Sequence, residues 1–291
     1  MAHSFGGKWT QEKLEKVRSY LQTYSTALKN QSFKRIYVDA FAGTGYVDFK
    51  EKQTNPLLFP EFEETEVQEF VSGSAQIALN INPPFDEYIF IEKDSHRFSE
   101  LEKLKEDFPH LANNISFQFS GANNFLQSFC KTNWTNKRAV VFLDPYGMQV
   151  KWETIEAIAK TQAIDLWILF PLGVAVNRLL KKDGNISESV KRRLDEMFGT
   201  NDWFEEFYKP KEVRTLFDIE TGFEKVANLD SIAEYFNHRL NSVFAGVAKN
   251  PLKLYSSKNN PLYLLCFAVG NPNPKAQGLA LKFANHILQM R

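Results

Sequence analysis

The sequence predicts an α/β fold: a mostly parallel sheet flanked by helices, with an antiparallel hairpin towards the C-terminus and one helical insertion. Three observations lead there. Five short apolar runs alternate with segments of helical period, which is the spacing of βαβ units. Four of the five end on an acid or run into asparagines, residues that turn a chain at a strand end. Of the 291 residues 43% are hydrophobic and 26 are Phe, so a large core is available and global disorder is excluded.

Residues 10–29 place Leu14, Val17, Leu21, Tyr24 and Leu28 at helical spacing, with Thr10 as N-cap. Ile36 to Val38 is a short buried strand ending on Asp39, and Gly43 and Gly45 follow where the backbone turns tightly. Phe49 to Val71 is rich in Glu, carries Pro56 and Pro60 and shows no period; a loop of that length reads as a lid or an insertion. Gly73-Ser74-Ala75 opens a short helix carrying Ile77, Ala78 and Ile81. The second strand, Glu87 to Glu92, ends on a carboxylate, and a helix with Phe98, Leu101 and Leu104 on one face follows. Ile115 to Phe119 alternates as a third strand and runs into Gly121-Ala122-Asn123-Asn124. Ala139 to Leu143 is the fourth strand, ending in Asp144-Pro145-Tyr146-Gly147; a helix over 152–160 leads to a fifth, Leu166 to Phe170.

From Val174 to about Thr221 the pattern changes. Leu179, Leu180, Val190, Leu194, Met197 and Phe198, then Trp203, Phe204 and Phe207, predict two or three helices, with Ser187 and Asp202 as caps. The chain therefore divides into an α/β domain over 1–173 and 222–291 and a helical insertion over 174–221. The 181–214 stretch holds a basic cluster, and a nucleic acid backbone is a partner it suggests. Ser231-x-x-Glu234 resembles a capping box. Leu252 to Ser256 and Leu262 to Val269 are strands joined so tightly that they must pair antiparallel. A final helix carries Leu279, Phe283, Ile287 and Leu288.

Lys+Arg and Asp+Glu are both 35, which argues against a broad basic footprint for duplex nucleic acid and leaves room for a local patch. Cys130 and Cys266 lie far apart in apolar settings, as buried thiols do in a reducing compartment. No C-x-x-C or His/Cys ligand spacing occurs, so no metal is expected. Met1 to Trp9 has no apolar core of the signal-peptide kind, and no run is long enough to span a membrane; the expected location is cytoplasmic. The five histidines are scattered, and neither a G-x-S-x-G elbow nor a Walker A motif is present.

The candidate site residues follow the carboxyl ends of consecutive strands, where open parallel sheets bind ligands. They are Asp39, Phe41, Gly43 and Gly45; then Glu92; then Asn123 and Asn124; then Asp144, Pro145 and Tyr146. A nicotinamide dinucleotide is disfavoured, because Asp48 stands where the third glycine of G-x-G-x-x-G belongs. Asp39-x-Phe41-x-Gly43-x-Gly45 resembles motif I of the methyltransferases dependent on S-adenosylmethionine (SAM), and the whole arrangement resembles their Rossmann-like sheet. The resemblance is closer to the three-Cys-motif partner proteins. It is carried by Tyr37 to Gly45, Gly73-Ser74, Phe142 to Gly147 and Leu262-Tyr263-Leu264.

That resemblance implies SAM as cofactor and a companion protein bearing three cysteines. Asp39 is implied near the methionine amino group, Gly43 and Gly45 beneath the nucleoside, Glu92 on the ribose, and Asn123 and Asn124 at an adenine edge. Asp144-Pro145-Tyr146 resembles the D-P-P-Y motif of amino-methyltransferases, where the acid and the prolyl carbonyl accept from the amine. One proline replaces two here, so Tyr146 comes one residue early and Gly147 stands at the aromatic position. The functions implied are methyl transfer to a nucleic acid base or other amine, or, without catalysis, service as an interaction partner.

Overall fold

The computed structural model describes residues 8–45, 73–214 and 219–290. The predicted loop 49–71 lies outside the described residues. The chain opens with helix α1 (Lys8–Leu28), two residues before the expected N-cap, so that Thr10 is buried within the first turn. Strands β1 (Lys34–Asp39), β2 (Glu87–Glu92), β3 (Ile115–Phe119), β4 (Lys137–Leu143) and β5 (Ile164–Phe170) follow, each within two or three residues of its predicted bounds. They pair in parallel in the order β3-β2-β1-β4-β5. The long strand Pro261–Val269 then adds to β5 antiparallel, Leu264 opposite Phe170. It also takes Leu252–Tyr255 as its antiparallel hairpin partner, as the short link required.

The sheet is buried on both faces, and the period of two along each strand decides which side chain goes where. Ile36 and Val38 point to one face and Tyr37 to the other; Val141 and Leu143 alternate likewise with Val140 and Phe142. Helix α1 covers the second face with Val17, Tyr20, Leu21 and Tyr24. Its hold is polar as well as apolar: the Tyr20 hydroxyl donates to Asp165 Oδ2 at 2.6 Å, both groups buried. Burial pushes the Asp165 carboxyl up to about 6.

The segment 174–221 departs from expectation. Its helices are there, chiefly Glu188–Phe198 and Trp203–Phe207, but the chain then forms a two-stranded antiparallel sheet from Tyr208–Arg214 and Ile219–Lys225. Charges hide this hairpin from a search for apolar alternation, since Lys211 pairs across it with Glu224 at 3.0 Å. Leu194, Phe198, Trp203 and Phe207 join the same core as β5, where Phe170 stacks on Phe236 with centroids 4.0 Å apart. A second departure concerns the helix Leu229–Asn241. Its N-cap is Asn228, and Ser231 answers from the N3 position in a reciprocal capping box.

Between β5 and the insertion the chain makes a π-helical turn, Leu172–Val176. Gly173 permits it: a Cβ there would sit 1.8 Å from the carbonyl oxygen of Pro261. Gly173→Ala therefore has to push the turn off the antiparallel strand. Chemical denaturation is expected to show a loss of about 1–3 kcal/mol, the range for overpacking a close contact; unchanged stability would mean the turn gives way freely.

Candidate active site at the carboxyl edge of the sheet

Asp39 ends β1 fully buried. Its Oδ1 accepts from the backbone N–H of Phe41 at 3.3 Å, and the Ser74 hydroxyl also donates to the carboxylate. Among the described residues its buried Oδ2 meets no donor at hydrogen-bond distance, although the Tyr37 hydroxyl, also buried, interacts with the carboxylate. Burial, reinforced by the negative charge of Asp144, outweighs those donors and pushes the carboxyl up to about 7.

The turn after Asp39 is built around the end of β2. Gly43 adopts φ 59 and its N–H donates to Glu92 Oε2 at 3.1 Å, while the N–H groups of Lys93 and Asp94 donate to Oε1 at 2.8 Å each. Glu92 thus ties two loops together and retains about one of a carboxylate's four acceptor positions. Gly45 has another reason to be glycine. Its φ of 76 strains any other side chain, and a Cβ there would also press on Leu104 Cδ1 at 2.7 Å. Glu92→Gln turns one acceptor oxygen into a donor facing N–H groups. It is expected to cost about 1–3 kcal/mol in a urea melt, and an unaltered melt would show that the three contacts contribute nothing net.

Asp144 lies just past β4, whose Phe142 is opposite Asp39. Its Oδ2 accepts from Lys13 Nζ of α1 at 2.5 Å, with the lysine 1% and the acid 6% exposed. Lys13 also lies 5.5 Å from the Trp9 ring centroid, and Trp9 stacks on Tyr263 at 5.1 Å. Asp144 Oδ1 is buried with no hydrogen-bond partner among the described residues. Burial raises the Asp144 carboxyl and Lys13 pulls it back down.

Tyr146 faces a cleft of about 640 Å³ that crosses the strand ends. Phe41 after β1, Lys93 after β2 and Gly121 to Asn123 after β3 line one side. Val174, Ala175, Arg178 and Leu179 from the π-turn onward, with Arg193 and Glu196 of the helix Glu188–Phe198, line the other. Arg97 sits over the Tyr146 ring, 5.6 Å from its centroid. The structure brings Phe41, Asn123 and Tyr146 together here, whereas Asp39, Gly43, Gly45, Glu92, Asn124, Asp144 and Pro145 do not line this cleft.

Asn123 departs from its expected role. Its Nδ2 donates to the Gln149 carbonyl at 2.8 Å, and its Oδ1 accepts from the Lys151 N–H at 3.0 Å and the Thr154 hydroxyl at 2.8 Å. The amide joins two loops and has no edge left for a purine. Asn124, next to it, is exposed. Lys13 and Ser74 escaped the sequence analysis as site residues. Lys13 precedes Val17 by one helical turn on the buried stripe, which is the signal that marks it. Among the described residues no cluster of His, Cys, Asp and Glu has metal-site geometry, and no helix is long and apolar enough to cross a membrane.

The strand order β3-β2-β1-β4-β5 with an antiparallel strand beyond β5 defines a mixed α/β fold with a mostly parallel central sheet. No protein-family model matches the chain, and no curated protein matches it. Solved structures do align with it. A Legionella pneumophila protein of the DUF519 family is 14% identical over 97% of this chain and 94% of that one, with a TM-score of 0.48. Spermidine synthase from Thermotoga maritima is 8% identical over 93% and 63%, TM-score 0.41. A SAM-dependent methyltransferase from Clostridium acetobutylicum is 11% identical over 87% and 92%, TM-score 0.34. Scores below 0.5 at such identities assign neither ligand nor site residues.

Proposed function

We propose that this protein binds SAM at the carboxyl edge of its sheet and directs methyl transfer to an amine. One observation carries the reading. Asp39 and Asp144, at the ends of adjacent strands, each keep a buried carboxylate oxygen without a hydrogen-bond partner among the described residues. Such atoms cost free energy in a ligand-free protein and are completed by a cationic or N–H-bearing ligand. The residues fit the cofactor. Asp39 suits the ammonium of its methionine moiety, and the remaining acceptor position of Glu92 suits one ribose hydroxyl. Phe41 and the Gly121–Asn124 turn suit the nucleoside, through backbone and apolar contact rather than through the Asn123 amide. When bound, the sulfonium supplies an electrophilic methyl group. Lys13 holds Asp144 Oδ2, so Oδ1 is fixed as an acceptor that orients an amine's lone pair, and Asp144 takes the proton that the amine releases.

The test is calorimetry with SAM, its demethylated product and NAD, followed by tritium transfer to total nucleic acid and protein. SAM and its product should bind and NAD should not; failure of SAM to bind sinks the proposal. A second reading is the non-catalytic partner of a three-cysteine companion that the family resemblance implies. The engagement of Asn123 and the burial of Asp144 in an ion pair favour it. SAM binding without transfer to any acceptor would select it. Both readings suit the cytoplasm, where Cys130 and Cys266, free thiols whose ionisation is suppressed by burial, stay reduced.

A further inference from the structure

Methyl transfer to an amine leaves the amine to be named, and one already rests on the acid that would serve it. Lys13 Nζ lies 2.5 Å from Asp144 Oδ2, and its positive charge also reaches Asp39 at the end of the neighbouring strand. Among the described residues the Trp9 and Phe142 rings face the same nitrogen, with centroids 5.5 and 6.0 Å away. Trp9 is held in turn by its stack on Tyr263. Ring faces and a carboxylate are the surroundings that recognise methylated ammonium groups, because a ring face attracts the charge without needing an N–H. Lys16, three residues along α1, is the contrast. It is nearly as buried, at 6% exposed against 1%, but its Nζ donates to the Met290 carbonyl at the end of the final helix, as lysines at helix ends do.

We propose that Lys13 is itself a methyl acceptor, so that the protein modifies its own opening helix at the nitrogen held on Asp144; this rests on SAM being the cofactor. Lys13 first gives a proton to Asp144 Oδ2 through the existing contact, which turns the ion pair into a neutral pair. Burial favours that direction, since it raises the Asp144 carboxyl. The Nζ lone pair then forms the new N–C bond as the methyl–sulfur bond of SAM breaks. The bonding electrons stay on sulfur, and the positive charge passes to nitrogen. Asp144 finally releases its proton and recovers an ion pair with the methylated ammonium. Asp144 is thus the base, while Trp9 and Phe142 accommodate the nitrogen before and after transfer. Burial also fixes the origin of the group. At 1% exposure Lys13 is out of reach of reagents and other enzymes in solution, so a methyl found there comes from the protein's own site.

The experiment is peptide mass spectrometry on the full chain as purified from cells, and again after incubation with SAM bearing a trideuterated methyl group. SAM calorimetry runs on the same samples. Methylation is expected at Lys13 and not at Lys16, already present in the purified protein and increased by incubation. Asp144→Asn is expected to slow labelling of Lys13 by about a hundredfold or more, the size of a lost general base, with SAM still bound. Lys13→Arg keeps a cation on Asp144 but removes the amine, and labelling of the whole chain should vanish. Thermal melts establish which variants fold, and either variant decides alone. SAM binding with Lys13 unmodified overturns the proposal and leaves the cofactor reading intact. Equal labelling of Lys13 and Lys16, labelling of Asp144→Asn at the wild-type rate, or undiminished labelling of Lys13→Arg overturns it as well. Unmodified Lys13 without SAM binding overturns both.

Discussion

Asp39→Asn is expected to weaken SAM binding about a hundredfold and, at the same time, to stabilise the ligand-free protein above neutral pH. The two effects share one cause. In the folded chain the Asp39 carboxyl is held at about 7 against 3.8 in the unfolded chain, so the fold binds a proton that the unfolded chain releases. The sign follows from that difference. Stability contributed by protonated Asp39 is complete below about pH 4, is lost as pH rises and is gone above about pH 7. The span between the two values corresponds to at most roughly 4 kcal/mol. Asn carries no charge to desolvate and keeps an oxygen for the Phe41 N–H. At pH 8 the variant should therefore be more stable by about 1–3 kcal/mol, within that limit. At pH 5 the advantage should vanish. Binding runs the other way. Removing a carboxylate opposed to an ammonium costs a charge-assisted hydrogen bond, about 3 kcal/mol or a hundredfold in affinity. Wild-type affinity should itself fall about fivefold between pH 7 and pH 6, as the carboxylate is lost. Melts at pH 5 and 8 with calorimetry at both decide the matter. A variant less stable than wild type at pH 8 would remove the strained carboxylate, and unchanged SAM affinity would remove its partner.

That a stabilising substitution should weaken binding explains which parts of this protein were legible in its sequence. Strands β1, β2, β4 and β5 are central and buried on both faces, so each is a near-continuous apolar run such as Val140 to Leu143, and such runs stand out. The acids that end them are equally plain, because an acid directly after such a run has few reasons to be there. What the sequence hides are features whose causes are tertiary. Asn123 was read as a ligand residue because it lies at a strand end; its real partners, Gln149 and Thr154, are 26 and 31 residues away. Gly45 was read as making room for a ligand, whereas the room is taken by Leu104. The hairpin after Phe207 was read as helix because cross-strand charge, rather than alternating apolar residues, accompanies it. Lys13 was passed over because lysine on a helix is nearly always solvated.

Lys13 is where the largest loss of stability is expected. Its ammonium is 1% exposed and 2.5 Å from Asp144 Oδ2, and the charge of Asp144 reaches Asp39. Lys13→Met keeps the stem's volume and removes the cation, leaving the buried Asp144 without its partner and within reach of the buried Asp39. Breaking a buried pair in this way costs about 3–5 kcal/mol. The deficit should be greatest at pH 8 and smaller at pH 5, where Asp39 is protonated and no longer repels Asp144. Lys13→Met with Asp144→Asn removes the stranded charge and should recover most of the stability, since replacing both members of a buried pair is often close to neutral. Urea melts of the two single variants and the double variant form a cycle that measures the coupling directly. Near-additive effects would show that the pair is incidental. The double variant then separates enzyme from scaffold in a folded protein. Its Asp39 is intact, so SAM should still bind, but the oriented acceptor at position 144 is gone and turnover should be lost. Transfer at the wild-type rate by the double variant would take Asp144 out of the chemistry and leave Lys13–Asp144 as a bolt between α1 and the sheet.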